Sequence, residues 1–301
     1  MIDIQWRGVF PAVTTKLSAD LSIDAQALAT GLERLIENGV SGVVMMGMVG
    51  ENAQLSPEEK RHVLEVAVRT VSGRVPVLSG VAEASTERAA EFARQAQELG
   101  VDGLMVFPGL TYRSDRRETV QFYTTVARAS ALPIMLYNNP GAYGVDLTPD
   151  LVEDLVHEST IVAIKEESYV TARVTDLISR FGDRFAVVCG VDDMVLESVA
   201  LGASAWVSGM ANALPNQSVA LFDAAARGDL AVARQLYRAL TPLYHLDTVP
   251  KLVQHIKLAE HILTGSPETV KPPRLSLVGE ERERSAGILY KCLEDLKSLG
   301  F

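Results

Sequence analysis

Eight short apolar runs, each bounded by glycine or proline and followed by a charged amphipathic stretch, constrain this chain more than any other feature. They begin at Gly8 (GVFPAVTT), Gly42 (GVVMMG), Val75 (VPVLSGV), Gly103 (GLMVFP), Pro133 (PIMLYN), Ile161 (IVAIKE), Phe185 (FAVVCGV) and Ala205 (AWVSGM). Successive runs start about 20 to 35 residues apart. Continuous β-branched runs this short are the pattern of strands buried on both faces, as in parallel sheets. Between them lie helices with legible start signals. Ser56-Pro57-Glu58-Glu59, Ser85-Thr86-Glu87 and Thr148-Pro149-Asp150 each set a capping residue ahead of an acidic first turn. The spacing of Ala27, Leu28, Gly31, Leu32, Leu35 and Ile36 is helical, and Gly39 and Gly100 follow helix ends. Eight strand–helix units predict a (β/α)8 barrel, with an open doubly wound sheet as the alternative. The barrel is expected to occupy residues 1–212. Only helical patterns such as DLAVARQLYRAL and KLVQHIKLAEHIL follow, so residues 213–301 are expected to form a helical extension packed on it.

Charge and cysteine count then remove several functional classes. The chain has 301 residues and a formal charge of −10, which argues against nucleic-acid binding. Two cysteines, Cys189 and Cys292, make neither a disulfide framework nor a cysteine-rich metal site. The start MIDIQWRGVF lacks the basic-then-apolar order of a signal peptide, and the charge-free stretch from Gly39 to Gly50 is too short to span a bilayer. A cytoplasmic protein without membrane contacts is expected.

Barrel enzymes carry their chemistry at the C-terminal ends of the strands. The sixth run ends in Ala163-Ile164-Lys165-Glu166, and alternation places Lys165 in the lumen with Ala163. Burial disfavours a lysine's charge, and a neutral amine at a pocket floor is the nucleophile that forms a Schiff base with a carbonyl. The plainer alternative is a lysine ion-paired with Glu166 or Glu167. On the fifth run Met135 and Tyr137 share a face, setting a phenol beside Lys165 where it can relay protons. The second run leads into Gly47-Met48-Val49-Gly50, a turn whose backbone N–H groups can converge on a carboxylate. The five histidines show no metal-ligand spacing, and neither a metal nor a cofactor is expected. Asp192-Asp193 is expected to cap the following helix, and His245-Leu246-Asp247 to be a polar cluster at a helix end.

GVFPAVTT, GMVGEN, LYNNPGAYGVDLTP and AIKEES, in this order along the chain, resemble the dihydrodipicolinate synthase/N-acetylneuraminate lyase family. The resemblance implies a (β/α)8 barrel, a homotetramer built as a dimer of dimers, and a Schiff base between a lysine and a 2-keto acid. Matched residue by residue, it makes Lys165 the Schiff-base lysine and Tyr137 the proton-relay tyrosine. Gly47, Met48, Val49 and Gly50 become the carboxylate loop, and Tyr143 and Val207 further substrate-binding positions.

Some positions depart from the family pattern. Met48 and Val49 stand where family members usually carry hydroxyls, so a hydroxyl-assisted proton relay is lost. Ala142 stands at the position of an arginine, and Leu110, with Tyr112 nearby, at that of a tyrosine contributed across a dimer interface. Tyr143-Gly144-Val145-Asp146, the GVDD after the seventh run, LYHLDTVPKLVQHIKLA and PETVKPPRLSLVGEER resemble a bacterial branch acting in hydroxyproline breakdown. That branch deaminates 1-pyrroline-4-hydroxy-2-carboxylate to 2-oxoglutarate semialdehyde, so the expected partner is a small 2-keto or cyclic imino acid. The alternatives are a 2-keto-3-deoxy sugar acid aldolase or dehydratase, a dihydrodipicolinate synthase, and a non-catalytic ligand-binding barrel.

Overall fold

The computed structural model describes residues 4–301. Residues 1–3, the start of the segment read above for a signal peptide, lie outside the described residues. Each of the eight apolar runs contributes one strand: β1 (Gly8–Pro11), β2 (Val43–Met45), β3 (Val77–Val81), β4 (Gly103–Val106), β5 (Ile134–Asn138), β6 (Ile161–Glu166), β7 (Ala186–Cys189) and β8 (Ala205–Ser208). Neighbouring strands pair in parallel in the order β1-β8-β7-β6-β5-β4-β3-β2. The ring closes where Ala12 bridges Val44 and the Val13 N–H donates to the Val44 carbonyl at 2.9 Å. The open-sheet alternative is thereby excluded. All strand residues except Val162 and Ala186 are buried, because the lumen and the surrounding helices cover both faces.

Helices α1 (Ala25–Glu37), α2 (Pro57–Val71), α3 (Thr86–Glu98), α4 (Arg116–Ala127), α5 (Pro140–Tyr143), α6 (Pro149–Glu153), α7 (Ala172–Phe181) and α8 (Val195–Ala200) fall between the strands. Their starts follow the local chemistry. Ser56 and Glu59 form a reciprocal capping box on α2, Ser85 accepts from the Arg88 N–H, and Thr148 accepts from the Leu151 N–H. On α1 the apolar stripe buries Leu28, Leu32 and Leu35 against the barrel.

After β8 come α9 (Pro215–Ala226), α10 (Leu230–Tyr244), α11 (Leu252–Thr264) and α12 (Gly279–Ser298). Helix α11 is tied to the mouth of the barrel by buried charges rather than by apolar contacts alone. Lys16, just past β1, meets Glu260 at 2.6 Å, and the same carboxylate accepts from the Thr14 hydroxyl at 2.7 Å. Lys257 meets Glu51, just past β2, at 2.6 Å, and both side chains are wholly shielded from solvent. The second Glu51 oxygen accepts from the Lys271 N–H at 2.7 Å. Buried charges persist only when paired in this way. Glu51 sits at φ 58, in the left-handed region, and Lys257, the Lys271 N–H and Arg274, 3.8 Å away, hold it there. Among the described residues, no helix is long and apolar enough to cross a membrane.

Candidate active site

At the C-terminal mouth of the barrel, a narrow chamber opens over the ends of β5 and β6, and Lys165 and Tyr137 both line it. The two residues are direct register partners across β5 and β6, so the same-face expectation becomes a contact. The Lys165 ammonium lies 3.9 Å from the centroid of the Tyr137 ring. Around the phenol, Phe107 and Tyr143 pack edge-on at ring separations of 4.8 and 5.5 Å. Burial, then the charge of Glu167, hold the Tyr137 phenol well above the usual tyrosine range, so it stays protonated.

Lys165 is buried and ion-paired at once. Its Nζ lies 2.8 Å from Glu167 Oε2, while Glu167 Oε1 accepts from Asn139 Nδ2 at 2.8 Å. The ion pair with Glu167 that the sequence offered as the plainer alternative is present, and the Tyr137 ring face covers the same amine. Gly190 is required beside it, since a Cβ there would stand 2.8 Å from Lys165 Cε.

Gly47, Met48, Val49 and Val207 also line the chamber, and the first three form one largely apolar side of it. Gly50 does not. It packs behind the loop, where a Cβ would come within 2.9 Å of the Met46 backbone. Tyr143 reaches the site through its contact with Tyr137, and burial raises its phenol above the usual range. Ala142 is exposed on α5, Leu110 lines a separate surface groove, and the side chain of Tyr112 is exposed.

Two sequence expectations fail here. The Asp192-Asp193 pair does not cap α8, which starts without a side-chain cap. Asp192 instead turns inward, accepting from Trp206 Nε1 at 3.0 Å and from the Met210 N–H at 2.8 Å. Asp193 pairs with His245 Nδ1 at 2.7 Å. Nor is His245-Leu246-Asp247 merely a polar helix end. The turn after α10 carries Asp247 over β8 and into the chamber, where it fills the space left by Gly209; a Cβ on that glycine would stand 2.4 Å from Asp247 Oδ1.

The half-buried Asp247 carboxyl faces the fully buried Asp192, which sets two acids side by side. Burial, then the Asp192 and Glu167 charges, push Asp247 well above the carboxylate range, and burial raises Asp192 to about 6. A carboxyl whose folded-state value is raised contributes stability below its unfolded value, and loses it as pH climbs through the folded one. Thermal stability is therefore expected to fall from this source as pH rises from about 3.8 through about 6. Asp247→Asn, which removes one of the two raised acids, is expected to flatten that fall; an unchanged pH–Tm curve would contradict the raised Asp247 carboxyl. Among the described residues, no group of three or more His, Cys, Asp and Glu is arranged to hold a metal ion.

With a buried lysine and a register-paired tyrosine at the mouth of an eight-stranded barrel, comparison with known proteins is decisive. A model of the dihydrodipicolinate synthetase family matches residues 5–291. The chain belongs to that family. It is accordingly an enzyme of the class I Schiff-base lyase type. It is 35% identical to a 4-hydroxy-tetrahydrodipicolinate synthase of Methanothrix thermoacetophila, over 95% of this chain and 97% of that one. The 4-hydroxy-tetrahydrodipicolinate synthase structure from Methylacidiphilum fumariolicum SolV superposes with a TM-score of 0.94 at 28% identity, over 98% of this chain and 99% of that one. YagE, a prophage protein of E. coli K12 that belongs to the dihydrodipicolinic acid synthase family, was solved in complex with pyruvate. It superposes with a TM-score of 0.89 at 30% identity, over 96% of this chain and 99% of that one. Family membership thus agrees with the motifs, and several of the relatives carry the name of the synthase.

Proposed function

We propose that Lys165 forms an imine with C2 of a small 2-keto or cyclic imino acid, and that Tyr137 relays protons as the imine forms and breaks. The observation that carries this reading is the buried amine of Lys165, 3.9 Å from the Tyr137 ring, at the floor of a chamber open to a small molecule. A buried amine next to a phenol held in its protonated form has both a nucleophile and a proton donor at the same carbon. Gly47, Met48 and Val49 would hold the substrate carboxylate, with Val207 completing the enclosure and Tyr143 backing the Tyr137 ring. The homotetramer and the division into residues 1–212 and 213–301 remain part of this proposal.

Two finer readings follow from the imine. Relatives named 4-hydroxy-tetrahydrodipicolinate synthase support the synthase, and on similarity alone that reading has the better support. The chamber supports the other, deamination of 1-pyrroline-4-hydroxy-2-carboxylate to 2-oxoglutarate semialdehyde. No arginine lines it, and its acidic side chains are Glu167, ion-paired with Lys165, and Asp247, which burial keeps protonated. A second substrate carboxylate would meet negative charge there, whereas a substrate with one carboxylate, a hydroxyl and a nitrogen would meet proton donors and acceptors.

A side-by-side assay separates the two. Ammonia and semialdehyde release from the pyrroline, coupled to an NADP-linked dehydrogenase, is run against condensation of pyruvate with aspartate semialdehyde. Faster pyrroline turnover is the expected result. Faster condensation, or faster cleavage of a 2-keto-3-deoxy sugar acid to pyruvate, would overturn the deaminase while leaving the imine.

A further inference from the structure

We infer that Glu167 is a catalytic residue, the base that takes a proton from the Lys165 ammonium and returns it to the leaving oxygen as the imine forms. The inference rests on the imine-forming reading above. It begins from a shortage. With Met48 and Val49 at the turn after β2, no serine or threonine lines the chamber, and the lining groups able to exchange a proton are Tyr137, Lys165, Glu167 and Asp247. An ammonium has no lone pair, so Lys165 attacks nothing until one of the others removes its proton.

Geometry selects Glu167. Its Oε2 lies 2.8 Å from Lys165 Nζ, within direct transfer distance, and Asn139 Nδ2 anchors the other oxygen at 2.8 Å. The carboxylate stands just past the end of β6, pinned where the Glu167 N–H donates to the Asn138 carbonyl at 2.9 Å. Its side chain is about 15% exposed, and bare Gly190 leaves room for it: a Cβ there would reach 3.0 Å from Glu167 Cβ. Tyr137 and Asp247 are poor acceptors because burial and neighbouring charge keep both protonated. The groups facing Glu167 are Lys165 on its own strand's end, Tyr137 from β5, Tyr143 from α5, Cys189 from β7, Tyr169 from the following loop and Asp247 from beyond α10.

The step balances. Glu167 accepts one proton from the ammonium, and the neutral amine adds to C2 of the keto acid. A proton shift from nitrogen to oxygen, within reach of the Tyr137 phenol, gives the carbinolamine. Protonated Glu167 then donates to the carbinolamine hydroxyl, the C–O bond breaks and water leaves. The protonated imine remains on Lys165, and Glu167 is again a carboxylate.

The test is the rate of imine formation with pyruvate, quenched at timed intervals with borohydride and read as label on the Lys165 peptide. Glu167→Gln, checked for wild-type circular dichroism, keeps the shape and an acceptor for Asn139 but removes the base. It is expected to trap pyruvate about 10²-fold more slowly at neutral pH, with the deficit narrowing in alkali as hydroxide takes over. Glu167→Asp, with the carboxylate one methylene further back, is expected to recover part of the rate. Wild-type trapping in Glu167→Gln, or a deficit unchanged by pH, overturns the role. Should Glu167→Gln fail to fold, Glu167→Ala, which also removes the base, is trapped in its place, and a wild-type rate there overturns the role. If the wild-type protein takes no label at Lys165 from pyruvate or from 1-pyrroline-4-hydroxy-2-carboxylate, the imine reading itself fails, and this inference with it.

Discussion

Replacing Lys165 by alanine is expected to lower turnover on the order of 10⁴- to 10⁶-fold while leaving the protein folded. The range is the one seen when a covalent nucleophile is deleted, because no neighbouring group supplies a second route to the same intermediate. Folding should survive, since the amine's partner keeps an alternative: Glu167 retains its bond from Asn139 and is itself about 15% exposed at the side chain. Steady-state kinetics on the preferred substrate, with circular dichroism as the control for folding, provides the check. A Lys165→Ala enzyme within a hundredfold of wild type would mean that the amine does not attack.

The largest expected effect on stability lies away from the chamber. Lys257→Met is expected to destabilise the fold by about 3–5 kcal/mol, because it leaves the solvent-shielded Glu51 carboxylate with only the Lys271 N–H and, at 3.8 Å, Arg274. For a chain of this size, that corresponds to a Tm lower by on the order of 10 °C. Adding Glu51→Gln should restore part of the loss, since the amide still accepts from the Lys271 N–H and carries no charge to strand. A thermal melt of Lys257→Met superimposable on wild type would show that water, rather than Lys257, satisfies Glu51. The consequence reaches the site, because Glu51 directly follows the turn that carries Met48 and Val49.

The two kinds of charged residue differ in how much of them could be read in advance. Lys165 and Tyr137 stand on strands, whose two-residue alternation fixes which side chains face the lumen and at what depth. Their register partnership follows from that alternation plus the pairing of sequential strands. Glu167 was visible beside Lys165 only as an ion-pair partner; that it turns into the chamber depends on the backbone leaving β6 and on Asn139, which comes from β5's loop. Asp192 shows why a local rule failed. An aspartate before a helix is a good cap in isolation, yet here Trp206 Nε1 and the Met210 N–H offer it buried donors that the chain brings within reach only after β8 is in place.

By itself, then, the sequence determined the alternation of eight strands with helices, the inward side of each strand, and the pairing of a lysine with a tyrosine at one depth of the lumen. These are properties of period and of neighbours in the chain, and they hold however the rest folds. Tertiary structure alone decided that Asp247 enters the chamber beside Asp192, and that Glu51 meets Lys257 across 206 positions of sequence. No periodicity encodes such meetings. They exist because ring closure and the packing of α10 and α11 remove the water between distant charges, and a charge without water must take whichever partner the fold has brought beside it.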